Sequence, residues 1–377
     1  MNETLNNEQI SHVNQIWDKV KDKISAECDR NGSLIPYIPV DGKYVDMGED
    51  NVNWWTNGFW SGVLWQMFHG TGDIKYKDIA EQVEIRLDEA LKNYNLLDHD
   101  VGFMWLFASV ANYKITGNKD SRSRGLVAAS ILSSRYNIEA KFIRAWNGEN
   151  PPSMIIDCLM NLPLLYWASE EENDPRFNFI GKNHTDTSLK YIIRKDGSCN
   201  HIVELDPNTG EFINNPGGQG FAQGSSWSRG HAWAIYGMTL AYKYLGEQEY
   251  LDAAKNVAHY FIANISMTDY VPLIDFRAPK EPSYYDTTAG ACAACGLLEL
   301  SKYVGEFERE LYIQNAFKIL KAMNEKHCDY SLDTDGILGY GSARYDREID
   351  RHVPIIYGDY FLIELVLRFL GKDFSIW

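Results

Sequence analysis

Along the chain, apolar residues recur in two kinds of helix-length segment, and the two kinds alternate. The first kind is amphipathic and begins after a polar turn. Five such turns are Gly72-Asp73-Ile74-Lys75-Tyr76, Gly117-Asn118-Lys119-Asp120, Asn173-Asp174-Pro175-Arg176-Phe177, Gly246-Glu247-Gln248-Glu249-Tyr250 and Gly305-Glu306-Phe307-Glu308. Their recurrence marks a helical-hairpin repeat with loops of variable length. The second kind is apolar or small-residue nearly all round, the pattern of a buried helix. These segments cover about 55–69, 102–115, 153–168, 227–244, 287–303 and 358–370. With an opening helix at about 8–29, the chain reads as twelve helices in six hairpins. Amphipathic members outside and apolar members inside predict an all-α fold, an (α/α)6 barrel forming a single domain over residues 1–377. An open superhelix of hairpins is the alternative, disfavoured because neither end carries a polar capping pattern. One interruption breaks the pattern: Cys199 to Glu204, the turn Asp206-Pro207-Asn208-Thr209-Gly210, and Glu211-Phe212-Ile213 predict a small β-hairpin. It leads into Pro216-Gly217-Gly218-Gln219-Gly220, a long loop of the sort that carries function.

The third apolar segment holds one carboxylate. Pro151-Pro152-Ser153 suits a helix entry, and Met154, Ile155, Ile156, Leu159, Leu162, Leu164 and Leu165 then surround Asp157. Read as helix, Asn161 lies one turn on, on the same face. A buried aspartate is costly unless hydrogen-bonded, paired or protonated, so Asp157 is a cap or network member, or an acid with a task. Polar or aromatic clusters open the other inner helices too: Asn53 to Trp60, Asp98-His99-Asp100-Val101-Gly102-Phe103, Ser225 to Trp233, Tyr284 to Thr288, and Tyr357 to Tyr360. If the inner helices run parallel, all six starts meet at one end of the barrel. The result is a cup walled by Trp and Phe faces and floored by Asp, His, Gln and Arg. Aromatic faces match the C–H faces of sugars and bidentate polar groups match their hydroxyls, so the cup predicts a carbohydrate site. Asp100, Asp286 and Asp359 are also explicable as caps or network members. Arg229 is not so easily explained, because the macrodipole disfavours a cation near a helix start; it calls for a buried partner or an anionic ligand.

Composition removes several classes. A formal net charge of -16 and the lack of a basic run interleaved with aromatics exclude a general nucleic-acid binder. No apolar stretch reaches the roughly 20 residues of a membrane span. The N-terminus is polar and acidic, without a signal-peptide pattern. Six scattered cysteines include Cys292-Ala-Ala-Cys295, which lies in a small-residue helix and lacks the second pair a zinc site needs. A cytoplasmic location is expected. Aromatics at 13% exceed what a core alone asks for, in keeping with a sugar-binding cup.

Five stretches together carry a resemblance. Trp55-Thr-Asn-Gly-Phe-Trp60, Asp98-His-Asp-Val-Gly-Phe103, Ile155-Ile-Asp-Cys-Leu-Met-Asn-Leu162, Ser226-Trp-Ser-Arg-Gly-His-Ala-Trp233 and Gly358-Asp-Tyr360 resemble the unsaturated glucuronyl hydrolases of glycoside hydrolase family 88, in order and over nearly the whole chain. The resemblance implies the same (α/α)6 barrel. It implies as substrate the unsaturated uronic acid that polysaccharide lyases leave at the non-reducing end of glycosaminoglycan fragments, removed by hydration of its C4=C5 vinyl ether. By the same resemblance Asp157 protonates C4 and assists water at C5, and Asp100 is the second essential carboxylate. Trp55, Phe59, His99, Trp146, His201, Gln219, Trp227, Arg229 and Trp233 would line the sugar site; no metal or other cofactor is implied.

An acid that protonates carbon works best when neutral, so the setting of Met154, Ile155 and Ile156 is expected to raise the Asp157 pKa, with Arg229 turned toward the substrate. His231 departs from the Gln of several relatives. Arg344 to His352 departs from the Ser-x-x-Ser-x-Lys of members that favour sulfated substrates. Three rivals stand beside this reading. An unsaturated rhamnogalacturonyl hydrolase would act on pectin fragments with the same chemistry. A sugar isomerase or epimerase would need a histidine pair such as His99 and His231. A non-catalytic sugar-binding barrel would tolerate loss of Asp157.

Overall fold

A computed structural model describes residues 5–377. Twelve main helices alternate between an outer and an inner ring, in this order: α1 (Asn7–Asn31), α2 (Phe59–Thr71), α3 (Ile74–Leu87), α4 (Val101–Trp105, continuing through a π-helical stretch at Leu106–Val110 into Ala111–Thr116), α5 (Lys119–Ser134), α6 (Pro163–Glu172), α7 (Arg176–Tyr191), α8 (Ser228–Leu245), α9 (Gln248–Ile265), α10 (Thr287–Leu300), α11 (Glu306–Lys326) and α12 (Ile356–Phe369). Odd-numbered helices are the amphipathic ones; α1, for example, buries Val13, Ile16, Trp17, Val20 and Ile24 along one stripe. The polar turns supply their caps: the Asp73 side chain accepts from the Lys75 amide, and Asn118 from Asp120 and Ser121. Even-numbered helices are buried on all sides, every residue of α10 and α12 included. The ring closes where α12 packs against both α10 and α2, with α1 laid over it. The predicted (α/α)6 barrel is the fold.

One inner segment differs from its expected form. Residues 153–162 are not α-helix: Ser153–Ile155 is a strand, Ile156–Met160 a 3-10 turn, and α6 starts only at Pro163. The helix-opening proline is therefore Pro163 at the first turn, where it forfeits no hydrogen bond, and Pro151 and Pro152 precede a strand. The β-branched Ile155 suits that strand, and the segment is apolar all round because it is walled between a sheet and the barrel core. The strand, β1 (Ser153–Ile155), pairs antiparallel with β2 (Ile202–Leu205), which pairs with β3 (Phe212–Asn214). The last two are the predicted hairpin; the first was masked by its helix-like context.

The C-terminal ends of the inner helices are closed by Trp377, which is buried and packs against Phe361 and Phe107 with ring centroids 6.3 and 4.9 Å away. Beside it Arg368 bonds Glu299 at 2.7 Å and Glu364 at 2.8 Å. All six cysteines are unpaired. No helix among the described residues is long and apolar enough to cross a membrane.

Candidate active site

At the opposite end, residues just before or at the starts of α2, α4, α6 and α12 surround a cavity of about 800 Å³. Its walls include Tyr37, Trp54, Trp55, Trp146 and Tyr357, and its floor Asp98, Asp100, Asp157 and His201. That volume is in the range of sites that enclose a small ligand.

The sheet sets the floor. The β1–β2 register pairs Ile155 with Ile202, and the Ile156 amide donates to the His201 carbonyl at 3.0 Å. Asp157 and His201, far apart in sequence, therefore leave adjacent strands side by side, with His201 Nε2 3.4 Å from Asp157 Oδ2. The loop after β3 fixes the imidazole: the Gln219 amide donates to His201 Nδ1 at 3.0 Å, which leaves the ring proton on Nε2, toward Asp157. Gly218 makes this approach possible. It has φ +68, and a Cβ there would stand 2.1 Å from His201 Nδ1.

Asp100 is placed by a second device. Its side chain caps nothing; Asp98 Oδ1 instead accepts from the Asp100 amide at 2.8 Å. Asn161, on the turn after Asp157, donates to Asp100 Oδ1 at 3.1 Å and accepts from the Phe103 amide at 2.7 Å. Gly102 admits it, since a Cβ there would meet Asn161 Oδ1 at 2.4 Å. His99 Nε2 lies 3.5 Å from Asp100 Oδ2. Beside Asp98, the floor thus holds two carboxylates that each face one imidazole, with Asn161 steadying Asp100.

Their ionisation splits. Burial pushes the Asp100 carboxyl up to about 7, helped by the charge of Asp157. Burial would push Asp157 up as well, but His201, then His99 and Arg229, outweigh it and hold its carboxyl below the usual range. This corrects the expectation that the apolar setting raises Asp157: in the resting site Asp157 is the anion and Asp100 the proton carrier. Three polar atoms here, Asp157 Oδ2, His99 Nε2 and His201 Nε2, are buried without a hydrogen-bond partner. Buried groups are normally satisfied, so two orphans on the cavity floor and a third just behind it mark where a polar ligand sits.

A model of Glycosyl Hydrolase Family 88 matches residues 38–362. The chain belongs to this family. It is 35% identical to the unsaturated glucuronyl hydrolase of Bacillus sp. (strain GL1), over 89% of this chain and 91% of that protein. It is 33% identical to an unsaturated chondroitin disaccharide hydrolase of Streptococcus pyogenes serotype M1, over 89% of this chain and 85% of that one. Among solved structures, the unsaturated glucuronyl hydrolase of Streptococcus agalactiae superposes with a TM-score of 0.90 at 29% identity, covering 99% of this chain and 94% of that one.

Not every family 88 site residue expected from sequence reaches the cavity. Trp55, Asp100, Trp146, Asp157, His201 and Gln219 line it. His99 and Trp227 stand one layer behind, His99 edge-on to Trp146 and Trp227 tilted against His201 with ring centroids 4.2 Å apart. Phe59 and Trp233 are fully buried beneath the floor, Phe59 against Trp55 and Trp233 against Phe103. They are core residues because each lies deeper in the inner ring than the cavity lining, Phe59 one turn beyond Trp55 and Trp233 inside α8.

Arg229 is not turned to the cavity either. It pairs with Asp286 at 2.7 Å and donates to the Ser342 and Ala343 carbonyls, with its guanidinium over the Trp227 ring. The buried partner that its position called for is Asp286. His231 accepts from the Cys199 amide and donates to the Trp227 carbonyl, so both its nitrogens are spent on backbone. That removes it from any acid–base pair with His99. Asp98 and Trp54, also on the cavity, fall in clusters that the sequence placed at the cup without giving them a role of their own; Tyr37 was missed, because it lies in a loop with no pattern to betray it.

Proposed function

We propose that this chain hydrates the C4=C5 bond of an unsaturated uronic acid at the non-reducing end of lyase-generated glycosaminoglycan oligosaccharides, with Asp157 and Asp100 as its catalytic pair. The observation that carries this reading is the floor itself: two carboxylates of opposite ionisation, each facing an imidazole, beneath aromatic walls. In this reaction no carboxylate displaces the leaving group, so the separation rules of ordinary glycosidases do not apply. A proton is added at C4, water adds at C5, and the resulting hemiketal opens to a C5 ketone. The former ring oxygen is then left as a hemiacetal at C1, which expels the neighbouring sugar. One water is consumed.

We assign proton delivery to C4 and activation of water to Asp157, and the holding of sugar hydroxyls to Asp100. The low resting pKa of Asp157 then requires that its proton arrive with the substrate. A bound uronate carboxylate supplies the cause, since a second anion near Asp157 raises its pKa. Calorimetry in buffers of different ionisation enthalpy tests this: net proton uptake on binding is expected, and its absence would move the acid to Asp100. Trp55 and Trp146 serve as sugar platforms. The unpaired state of six cysteines supports a reducing, cytoplasmic setting. The packing of the first helix on the last supports one catalytic domain.

The deciding assay is loss of the ultraviolet absorbance of the conjugated double bond, run with chondroitin, hyaluronan, heparin and pectin lyase products. Turnover of the pectin product alone would favour the rhamnogalacturonyl reading, and turnover of none would end both. Solvent deuterium at C4 and solvent oxygen at C5 of the product are expected; oxygen label at the anomeric carbon C1 of the uronic acid instead would mean ordinary displacement.

A further inference from the structure

Helix α5 ends at Ser134, and the next residue, Arg135, sends its side chain inward behind the cavity, where it is 4% exposed. Four of its N–H groups are used. Nε donates to the Arg144 carbonyl at 3.1 Å, Nη1 to the Leu97 carbonyl at 3.1 Å and Asn147 Oδ1 at 3.0 Å, and Nη2 to the Ala145 carbonyl at 2.9 Å. None of these acceptors is charged. A guanidinium buried among neutral acceptors is costly, so both its charge and its planar fork should have a use.

The fork spans two walls of the site. Leu97 precedes the Asp98 to Asp100 segment, and Ala145 and Asn147 flank Trp146. The Ala145 carbonyl also accepts from the His99 amide at 3.1 Å, and the Ala145 amide donates to the Ser153 carbonyl at 2.8 Å, at the start of the strand that leads to Asp157. Asn147 adds donations to the Asn95 and Leu97 carbonyls. One side chain therefore sits at the junction of the segments that carry Asp100, Trp146 and Asp157. The charge faces Asp98 and Asp100 through space.

We propose that Arg135 is a positioning residue of the active site: it touches no sugar, but fixes the spacing between the Asp98–Asp100 wall and the Trp146 wall. It also supplies the positive charge that those two carboxylates meet from behind. The other charged or titratable groups facing the two are each other, His99, which lies beside both, and Asp157 opposite Asp100. The assay of this role in turnover rests on the function proposed above.

The test compares Arg135→Lys with Arg135→Gln, reading kcat and KM across pH together with thermal unfolding. Both lose the planar fork, so kcat/KM should fall about tenfold or more in each, since a misplacement of about 1 Å costs up to ~100-fold in rate. Only Gln also loses the charge. Its carboxyls should therefore titrate at higher pH, while those of Arg135→Lys stay near wild type. Carbon-13 NMR of the Asp98 and Asp100 carboxyls reads this without substrate, so a failure of the functional reading is seen separately, as an inactive wild type. Unshifted carboxyls in Arg135→Gln, or losses that follow the folded fraction alone, overturn the proposal. Should both variants fail to fold, Asn147→Ala removes one exposed acceptor and its own two ties. A few-fold rise in KM with little change in Tm is expected, and an unchanged KM overturns the proposal.

Discussion

The two ends of the barrel bury charge in opposite ways. At the closed end Arg368 is held by Glu299, Glu364 and the Tyr236 hydroxyl, Tyr236 donates to Glu364 at 2.5 Å, and Trp377 Nε1 donates to Glu364 at 3.0 Å. The ionic groups there are engaged, and the plug of aromatic rings leaves them no ligand to wait for. At the open end Asp157 Oδ2 and the Nε2 atoms of His99 and His201 are buried and unbonded. The same fold therefore satisfies its ions where it needs only to stay shut. It leaves them short of partners where it acts. Orphaned groups are a cost to stability, borne at the end where a ligand can meet them.

The contrast is broken most severely from the open end. Asp157→Asn keeps the size of the side chain and its place beside His201, so folding and sugar binding should survive. Turnover should fall by ~10²–10⁴-fold or more, because an amide can neither give a proton to carbon nor take one from water. A variant that keeps more than about a tenth of wild-type activity would shift the role to Asp100.

At the closed end the effect should appear in stability instead. Arg368→Met leaves Glu364 buried without its cation and Glu299 with Lys302 alone, and removing one partner of a buried pair costs about 3–5 kcal/mol. Denaturant unfolding should show that loss, with kcat little changed in the fraction that remains folded. A large drop in kcat at full stability would mean that the two ends are coupled.

The two ends were not equally readable in the sequence. The closed end follows from periodicity: α10 and α12 are apolar all round, and that alone places them inside. Asp100, Asp157 and His201 were legible as types and in motifs, and the cavity does gather them. Their ionisation was not legible, because it depends on a strand pairing between residues 153–155 and 202–205 that local apolar character disguised as helix. Without that pairing His201 has no reason to stand beside Asp157, and burial alone predicts the wrong sign. Arg229 and Arg135 were hidden for a related reason: their acceptors are backbone carbonyls brought in from remote loops.

The pH dependence sharpens the comparison further. Asp100 has its carboxyl raised to about 7, above its ordinary 3.8. Its proton is bound more tightly in the folded state. The stability it contributes is therefore fully present below pH ~4 and is lost as pH rises through about 7. In Asp157→Asn the anion that helps raise Asp100 is gone, so the Asp100 midpoint should move down. Carboxyl NMR of the two proteins checks the direction; an unmoved midpoint would mean that burial alone sets Asp100.

The smallest effect is expected at the rim of the open end. Arg344 and Arg347 line the cavity mouth, paired with Asp346 at 2.9 Å and Asp350 at 3.1 Å, whereas Arg351 stacks on the Tyr284 ring at 3.8 Å. Exposed pairs of this kind contribute only ~0–1 kcal/mol to folding, so their removal should leave the barrel intact. An anionic neighbouring sugar would compete with Asp346 and Asp350 for the two guanidinium groups; a neutral one would not. Replacing Arg344, Arg347 and Arg351 with Ala together should therefore raise KM a few-fold for sulfated disaccharides and less for unsulfated ones. The single change Arg351→Ala should do neither, because its side chain is already committed to Tyr284. An equal change for both substrate classes would show that the rim senses no charge, and that selectivity lies deeper, among Asp98, Tyr37 and Trp54.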